Sequence, residues 1–498
     1  MSYDKLTGTN SIYEDNWKRW KYLIHSYMGG NAYRHGEYLT RYNMETETEF
    51  QERLAVTPLD NHCKGVITIY NSFLFRNPVY REYGSLTNDP VLNPILQDAD
   101  FDGRSFDTFM KDVSTYSSVL GHCWVIITKA SSNAQTRADE ILQGARPYVN
   151  LISPLNMLDY SYERSPMGFY EMTYCKYIED KEGDQVVMKE WYKDSIITTV
   201  VDDKKKEIQS QIIEDNGLGS IPAVIVYNQR SPKRGMGVSD IDDISDLQRA
   251  IYNEYSEVEA LVRLTNHPSL VKTVGTEAGA GAGAIIQMDE GLDAGLRPYL
   301  LQPNGASLDS LYNSINEKVN AIDRIAHLGA MRENRTSTMS GVSREMEFQQ
   351  LNARLAEKGD QLELAEEHIW QWIAKYQSKT WDGVIDYPDN YNIQDKHSDM
   401  ALMIAANQAA PVDPVVRQLI DFRIKMILDD EDEFVYDDKE RVKERIEAIN
   451  ERVDDALEHA PIINVADSIN HLRDMIKEGY SDSEILERHP ELRGTLGA

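Results

Sequence analysis

Apolar residues fall into two rhythms along the chain, and the change of rhythm divides it. Between residues 16 and 28, Trp17, Trp20, Ile24 and Tyr27 recur at helical spacing, and Gly29-Gly30 ends the run, which predicts an amphipathic helix. A second helical pattern covers about residues 47–75, is interrupted at Pro58, and stops before Pro78, where the ring and the missing N–H forbid continuation. A third spans residues 105–120.

After Gly121 the period shortens to two. The pieces CWVIITK, YVNLI, FYEMTYCKYI, QVVMKEWY, SIITTVV and PAVIVYN are separated by the turn signals EGDQ, VDDKKKE and DNGLGS, which predicts an antiparallel β unit ending near Tyr227.

Beyond Asn228 helical spacing returns. Ser239 with Asp242 is a capping start, and Ile241, Ile244, Leu247, Ile251, Tyr255, Val258 and Val262 form one narrow stripe that Pro268 ends. A Gly/Ala-rich stretch follows, and then a second stripe of Leu308, Leu311, Ile315, Val319, Ile322 and Ile325. After the polar run of residues 331–340, Val342, Met346, Gln349, Leu355, Leu362, Ile369, Ile373 and Tyr376 trace a longer helix with an expected kink at Gly359. If unbroken from residue 341 to 380 it would span about 60 Å. Shorter helical patterns with acidic punctuation fill the tail from residue 386. Stripes this narrow predict helices left partly uncovered by their own chain, with the same helices of neighbouring copies as natural partners, and so a ring-like homo-oligomer.

The 498 residues, 41% of them hydrophobic, suffice for a substantial core and two to four structural units. No run is long and apolar enough for a membrane span, and the start lacks the order of a signal peptide, so the expectation is a soluble chain. Three scattered cysteines, Cys63, Cys123 and Cys175, predict free thiols. A formal net charge of −30 opposes tight general binding of nucleic acid.

Candidate chemistry is sparse. EAGAGAGA lacks the Lys-Ser or Lys-Thr of a phosphate loop and reads as a closely packed turn. His62-Cys63 and His122-Cys123 would need distorted backbone to share a zinc ion, so core or surface roles are favoured. No catalytic constellation stands out, and neither an enzyme nor a cofactor is expected.

Three stretches carry a resemblance: YRHGEYLTRYNMETETEFQERLAVTPLDNHCKGVITIYNSFLFRNPV, IPAVIVYNQRSPKRGMGVSDIDDISDLQRAIYNEYSEVEALV and SLYNSINEKVNAIDRIAHLGAMRENRTSTMSGVSREMEFQQLNARL. In their order they resemble the portal proteins of tailed bacteriophages, the head-to-tail connector ring through which DNA enters and leaves the capsid. The likeness spans most of the chain and rests on order and pattern rather than on fixed residues.

It implies an α+β, predominantly helical fold. Residues 1–228 would form a wing of helices followed by the antiparallel β unit, 229–265 a first stem helix, and 266–306 a clip. Residues 307–330 would form a second stem helix, 331–340 a tunnel loop, 341–386 a long kinked wing helix, and 387–498 a helical crown. The implied partners are a homo-oligomeric ring of about a dozen copies, double-stranded DNA in the channel, a tail-adaptor protein, the terminase motor, and the major capsid and scaffolding proteins. The implied location is the virion, at a capsid vertex, after assembly in the host cytoplasm.

On the tunnel loop, Arg332 and Arg335 would touch phosphates transiently, with Asn334, Thr336 and Ser337 as weaker contacts. The plainer account of the two arginines is pairing with Glu333 or Glu345. An acidic total summed over a ring would keep DNA from adhering to the channel. The rivals are another ring or adaptor component of a virion, and a cytoplasmic hydrolase with a helical cap, for which a catalytic cluster is missing.

Overall fold

The computed structural model describes residues 7–129, 134, 136–266, 269–271, 291, 293, 295, 299–301, 306–329, 341–388 and 390–391. The chain divides into two compact units, Met1–Asn392 and Ile393–Ala498. The second lies wholly outside the described residues, and with it nearly all of the expected crown.

Helix α1 (Ser11–Met28) begins where the Asn10 side chain accepts from the Tyr13 N–H, and ends at Gly29, whose φ of 66° suits a residue without a Cβ. After α2 (Gly30–Arg34), α3 (Glu47–Val56) opens with a reciprocal capping box between Thr46 and Glu49. The interruption expected at Pro58 separates α3 from α4 (His62–Leu74). Strand β1 (Tyr80–Glu82), α5 (Leu92–Gln97) and α6 (Phe106–Leu120) complete this helical part, with Gly121 in the left-handed region ending α6.

Next come β2 (His122–Lys129), α7 (Arg137–Leu142), β3 (Pro147–Ile152), β4 (Met157–Arg164) and β5 (Tyr170–Glu182). They are followed by β6 (Gln185–Tyr192), β7 (Ser195–Asp202), β8 (Glu207–Asp215) and β9 (Ala223–Tyr227). The single β unit expected from the pattern is two sheets. One has the order β3-β2-β9, and the other is the meander β4-β5-β6-β7-β8, inserted between β3 and β9. All of these pairings are antiparallel. Strand β2 is central to its sheet and buried over its first six residues, which explains its near-continuous apolar run. Trp124 and Ile126 of β2 join Met172, Cys175, Tyr177 and Trp191 of the meander in one apolar cluster that holds the two sheets together.

Helix α8 (Asp242–Asn266) and α9 (Ala306–Ile325) bracket the short antiparallel pair β10 (Ser269–Val271) and β11 (Tyr299–Leu301). Most of the expected clip between them lies outside the described residues. Ser239 precedes α8 rather than capping it; its hydroxyl donates to the Val119 carbonyl and accepts from the Ile241 N–H.

The apolar stripes are covered by this chain only in part. Ile241, Ile244, Ile251 and Val258 on one side, and Ile315 and Ile322 on the other, are buried within this one chain, in the same core as α4, α6 and α10 (Gly341–Tyr376). Leu247, Tyr255, Val262, Leu308, Leu311 and Val319 are only partly buried and Ile325 is 44% exposed, so this chain covers each stripe in part. The reason is geometric: α8 and α9 pack side by side, so each stripe faces the other and the helical body at once.

Helix α10 runs unbroken through Gly359, where a Cβ would lie 2.8 Å from the Tyr391 hydroxyl. Glycine there admits a neighbouring ring rather than ending the helix. Beyond α10, β12 (Val384–Asp386) returns to pair with β1. Trp370 of α10 is fully buried against Phe106, Tyr83 and Trp381, so the long helix packs onto the N-terminal body. Among the described residues no helix is long and apolar enough to cross a membrane.

Candidate functional site: the frame around residues 330–340

All five residues expected on the DNA-facing loop, Arg332, Asn334, Arg335, Thr336 and Ser337, lie outside the described residues. Their flanks are described, and both are anchored on α4. Ala326, just after α9, is buried and its carbonyl accepts from the Tyr70 hydroxyl at 2.7 Å. Phe348, in the second turn of α10, meets the Phe73 ring edge-on with centroids 6.0 Å apart. Tyr70 and Phe73 are three residues apart on α4, so their side chains are neighbours on one face. The segments on either side of residues 330–340 therefore leave and rejoin the body on adjacent turns of one helix.

The first turns of α8 are locked by polar contacts. The Tyr22 hydroxyl donates to the Ser245 carbonyl at 2.6 Å, and Arg19 pairs with Asp242 and Asp246 at 2.7 and 2.9 Å. Gln248, fully buried, accepts from the Cys63 N–H and donates to the Ser26 carbonyl, tying α8 to α4 and α1. Further along, Glu254 of α8 accepts from Ser314 Oγ and Lys318 Nζ of α9 at 2.8 and 2.7 Å. The two long helices thus form one braced hairpin.

A buried charge node joins the start of α8 to α10. Asp240 sits 2.6 Å from Lys358 Nζ and 2.6 Å from Arg354 Nη2. Asn228 Nδ2 donates to Asp240, and Lys358 also donates to Ser118 and Asn228. Burial alone would raise the Asp240 carboxyl, but the two cations overcome it and hold the group below the usual carboxylate range. Beside the node, Gly121 and Gly237 bring their backbones so close that a Cβ on either would run into the other. His122 is completely buried and burial pushes it down to about 3, so it is neutral, and its Nδ1 accepts from the Gly237 N–H.

The expectations drawn from the sequence did not include this node, although a signal was there. Lys358 lies three residues after Leu355 and four before Leu362, on the apolar stripe of α10, where a lysine needs a buried partner. Of the His-Cys pairs, His62 is 3.1 Å from Asp60, and Cys63, Cys123 and Cys175 are buried free thiols. Among the described residues no group of His, Cys, Asp and Glu could hold a metal ion.

No family model matches the chain and no curated protein matches it. Among solved structures, a chain from the virion of a native gene transfer agent particle is similar, with 10% identity and a TM-score of 0.43 over 80% of this chain and 98% of that one. A chain from the neck of an empty gene transfer agent particle, computed with C6 symmetry, is similar at 9% identity and a TM-score of 0.43, over 76% and 95% of the two chains. Neither likeness is close enough to carry a functional assignment.

Proposed function

We propose that this chain is the subunit of a portal: a ring-shaped, non-enzymatic channel at a capsid vertex through which double-stranded DNA is packaged and released, and which joins head to tail. The observation that carries the reading is the braced hairpin of α8 and α9, seated on the helical body at one end, followed by a polar segment whose two flanks are tied to the same face of α4. This order of parts, body, helix, small insert, helix, loop and long returning helix, is the one that the resemblance to portal proteins implies. In this reading Arg332 and Arg335, with Asn334, Thr336 and Ser337, border the channel, a terminase motor supplies the force, and a tail adaptor meets the region between β10 and β11.

Negative-stain microscopy of the purified chain tests it. Rings with a central hole wide enough to pass a DNA duplex support the portal. A compact particle without a hole, carrying hydrolytic activity, supports the hydrolase. A second virion reading, a tail adaptor or another ring component, predicts a ring that associates with particles only after DNA filling.

A further inference from the structure

The five-stranded sheet carries two unlike surfaces on its opposite edges. At the β4 edge, the hairpin tip between β4 and β5 exposes Met167 (84%) and Phe169 (68%). Beside them, the guanidinium of Arg234 lies 3.4 Å over the Tyr170 ring, and that of Arg164 lies 4.9 Å from the same centroid. Lys233 stands next to Arg234, and among the described residues none of Arg164, Lys233 and Arg234 has an ion-pair partner. In a chain of net charge −30 this is a local surplus of positive charge around an apolar knob.

At the other edge, β8 pairs only with β7, which leaves a row of backbone N–H and C=O groups open. It exposes Ile212 (58%) and Ile213 (67%); its start follows Lys204, Lys205 and Lys206, but its far end carries Glu214 and Asp215, neither of which has an ion-pair partner among the described residues. Four strand spacings, about 19 Å, separate the two edges, so the surfaces cannot meet within one copy.

We propose that the knob of Met167, Phe169, Arg164, Lys233 and Arg234 docks on residues 212–215, the far end of the outer strand β8, in a second copy of this chain, head to tail. Charge is complementary, and both sides offer exposed apolar side chains; aromatic, Met and Arg residues are enriched in protein interfaces, whereas exposed Met and Ile give no advantage against phosphates. A contact between opposite edges of the same sheet is heterologous, and such a contact builds a ring when its rotation closes and an open filament when it does not. The inference rests on the ring reading above and adds to it a subunit contact outside the apolar stripes of α8 and α9.

The test uses the full-length chain, with mass measured by light scattering. Lys233→Glu/Arg234→Glu and, separately, Glu214→Lys/Asp215→Lys each place like charges across the contact, and each is expected to abolish the multimer peak. Mixing the two purified variants restores it, because each mutated surface then meets its complement and each native surface meets a native one. Circular dichroism like that of the wild type separates lost assembly from misfolding, and recovery on mixing separates it independently. Multimers that survive both reversals, or variants that fail to recover on mixing, overturn the proposal. Reversal of the knob that leaves the multimer intact but weakens retention of duplex DNA assigns the knob to nucleic acid and likewise overturns it. A wild-type chain that stays monomeric at every concentration overturns the ring reading itself.

Discussion

Asp240 and Lys358, 118 residues apart in sequence, form a buried ion pair of 2.6 Å that fastens the start of α8 to the middle of α10. Arg354 and Asn228 complete the satisfaction of the carboxylate. Since α10 also packs on the N-terminal body, the pair fixes where the α8–α9 hairpin departs from it.

Breaking this node is expected to be costly in an order set by what remains. Asp240→Leu leaves Lys358 buried and Arg354 half-buried without their anion, and belongs at the upper end of the roughly 3–5 kcal/mol expected for an orphaned buried charge. Lys358→Met leaves Asp240 paired with Arg354 and belongs at the lower end or below it. Urea denaturation of the two variants checks the order; a larger loss for Lys358→Met contradicts the account.

Stability should fall on acidification in two stages. The His122 imidazole is held neutral by burial, its value lowered from 6.5 to about 3, so the unfolded chain binds a proton that the folded chain refuses between those values. The stability this contributes is fully present above pH 6.5 and is lost as pH falls towards 3, with a slope of up to about 1.4 kcal/mol per pH unit. Asp240 is lowered because its cations outweigh desolvation, and Asp89 because Lys379 and Arg137 do the same; both add a further loss below the ordinary 3.8. Thermal melts between pH 7 and 5 for wild type and His122→Asn check the first stage. The variant should lack much of the slope.

Gly237→Ala should be among the most disruptive small substitutions, because the new methyl would meet the Gly121 carbonyl, a backbone atom that cannot rotate away. A loss of about 1–3 kcal/mol is expected from such overpacking. Gly217→Ala, where a Cβ meets nothing within 4 Å, should stay within about 0.5 kcal/mol of the wild type. Paired denaturation curves decide it.

Arg332→Glu with Arg335→Glu tests the channel reading rather than the fold. Rings of unchanged size by microscopy, with a reduced fraction of genome-filled particles, are expected. Normal filling by the double variant would refute the assignment of these arginines to DNA.

Local rules acting on the sequence by itself determined much of this chain. The period of Ile241, Ile244, Ile251 and Val258 places a helix where α8 runs, Pro58 separates α3 from α4, and alternation near Gln185 and Ser195 marks β6 and β7, because side-chain burial on one face writes its period into the sequence. Strand β8, EIQSQIIED, carries little such signal, since it is almost entirely exposed and has no face to bury. Tertiary structure decided what the stripes face, that the strands form two sheets, and that Lys358 finds Asp240. Those outcomes depend on contacts between segments far apart along the chain, and a hydrophobic period says that a face will be covered without saying by what.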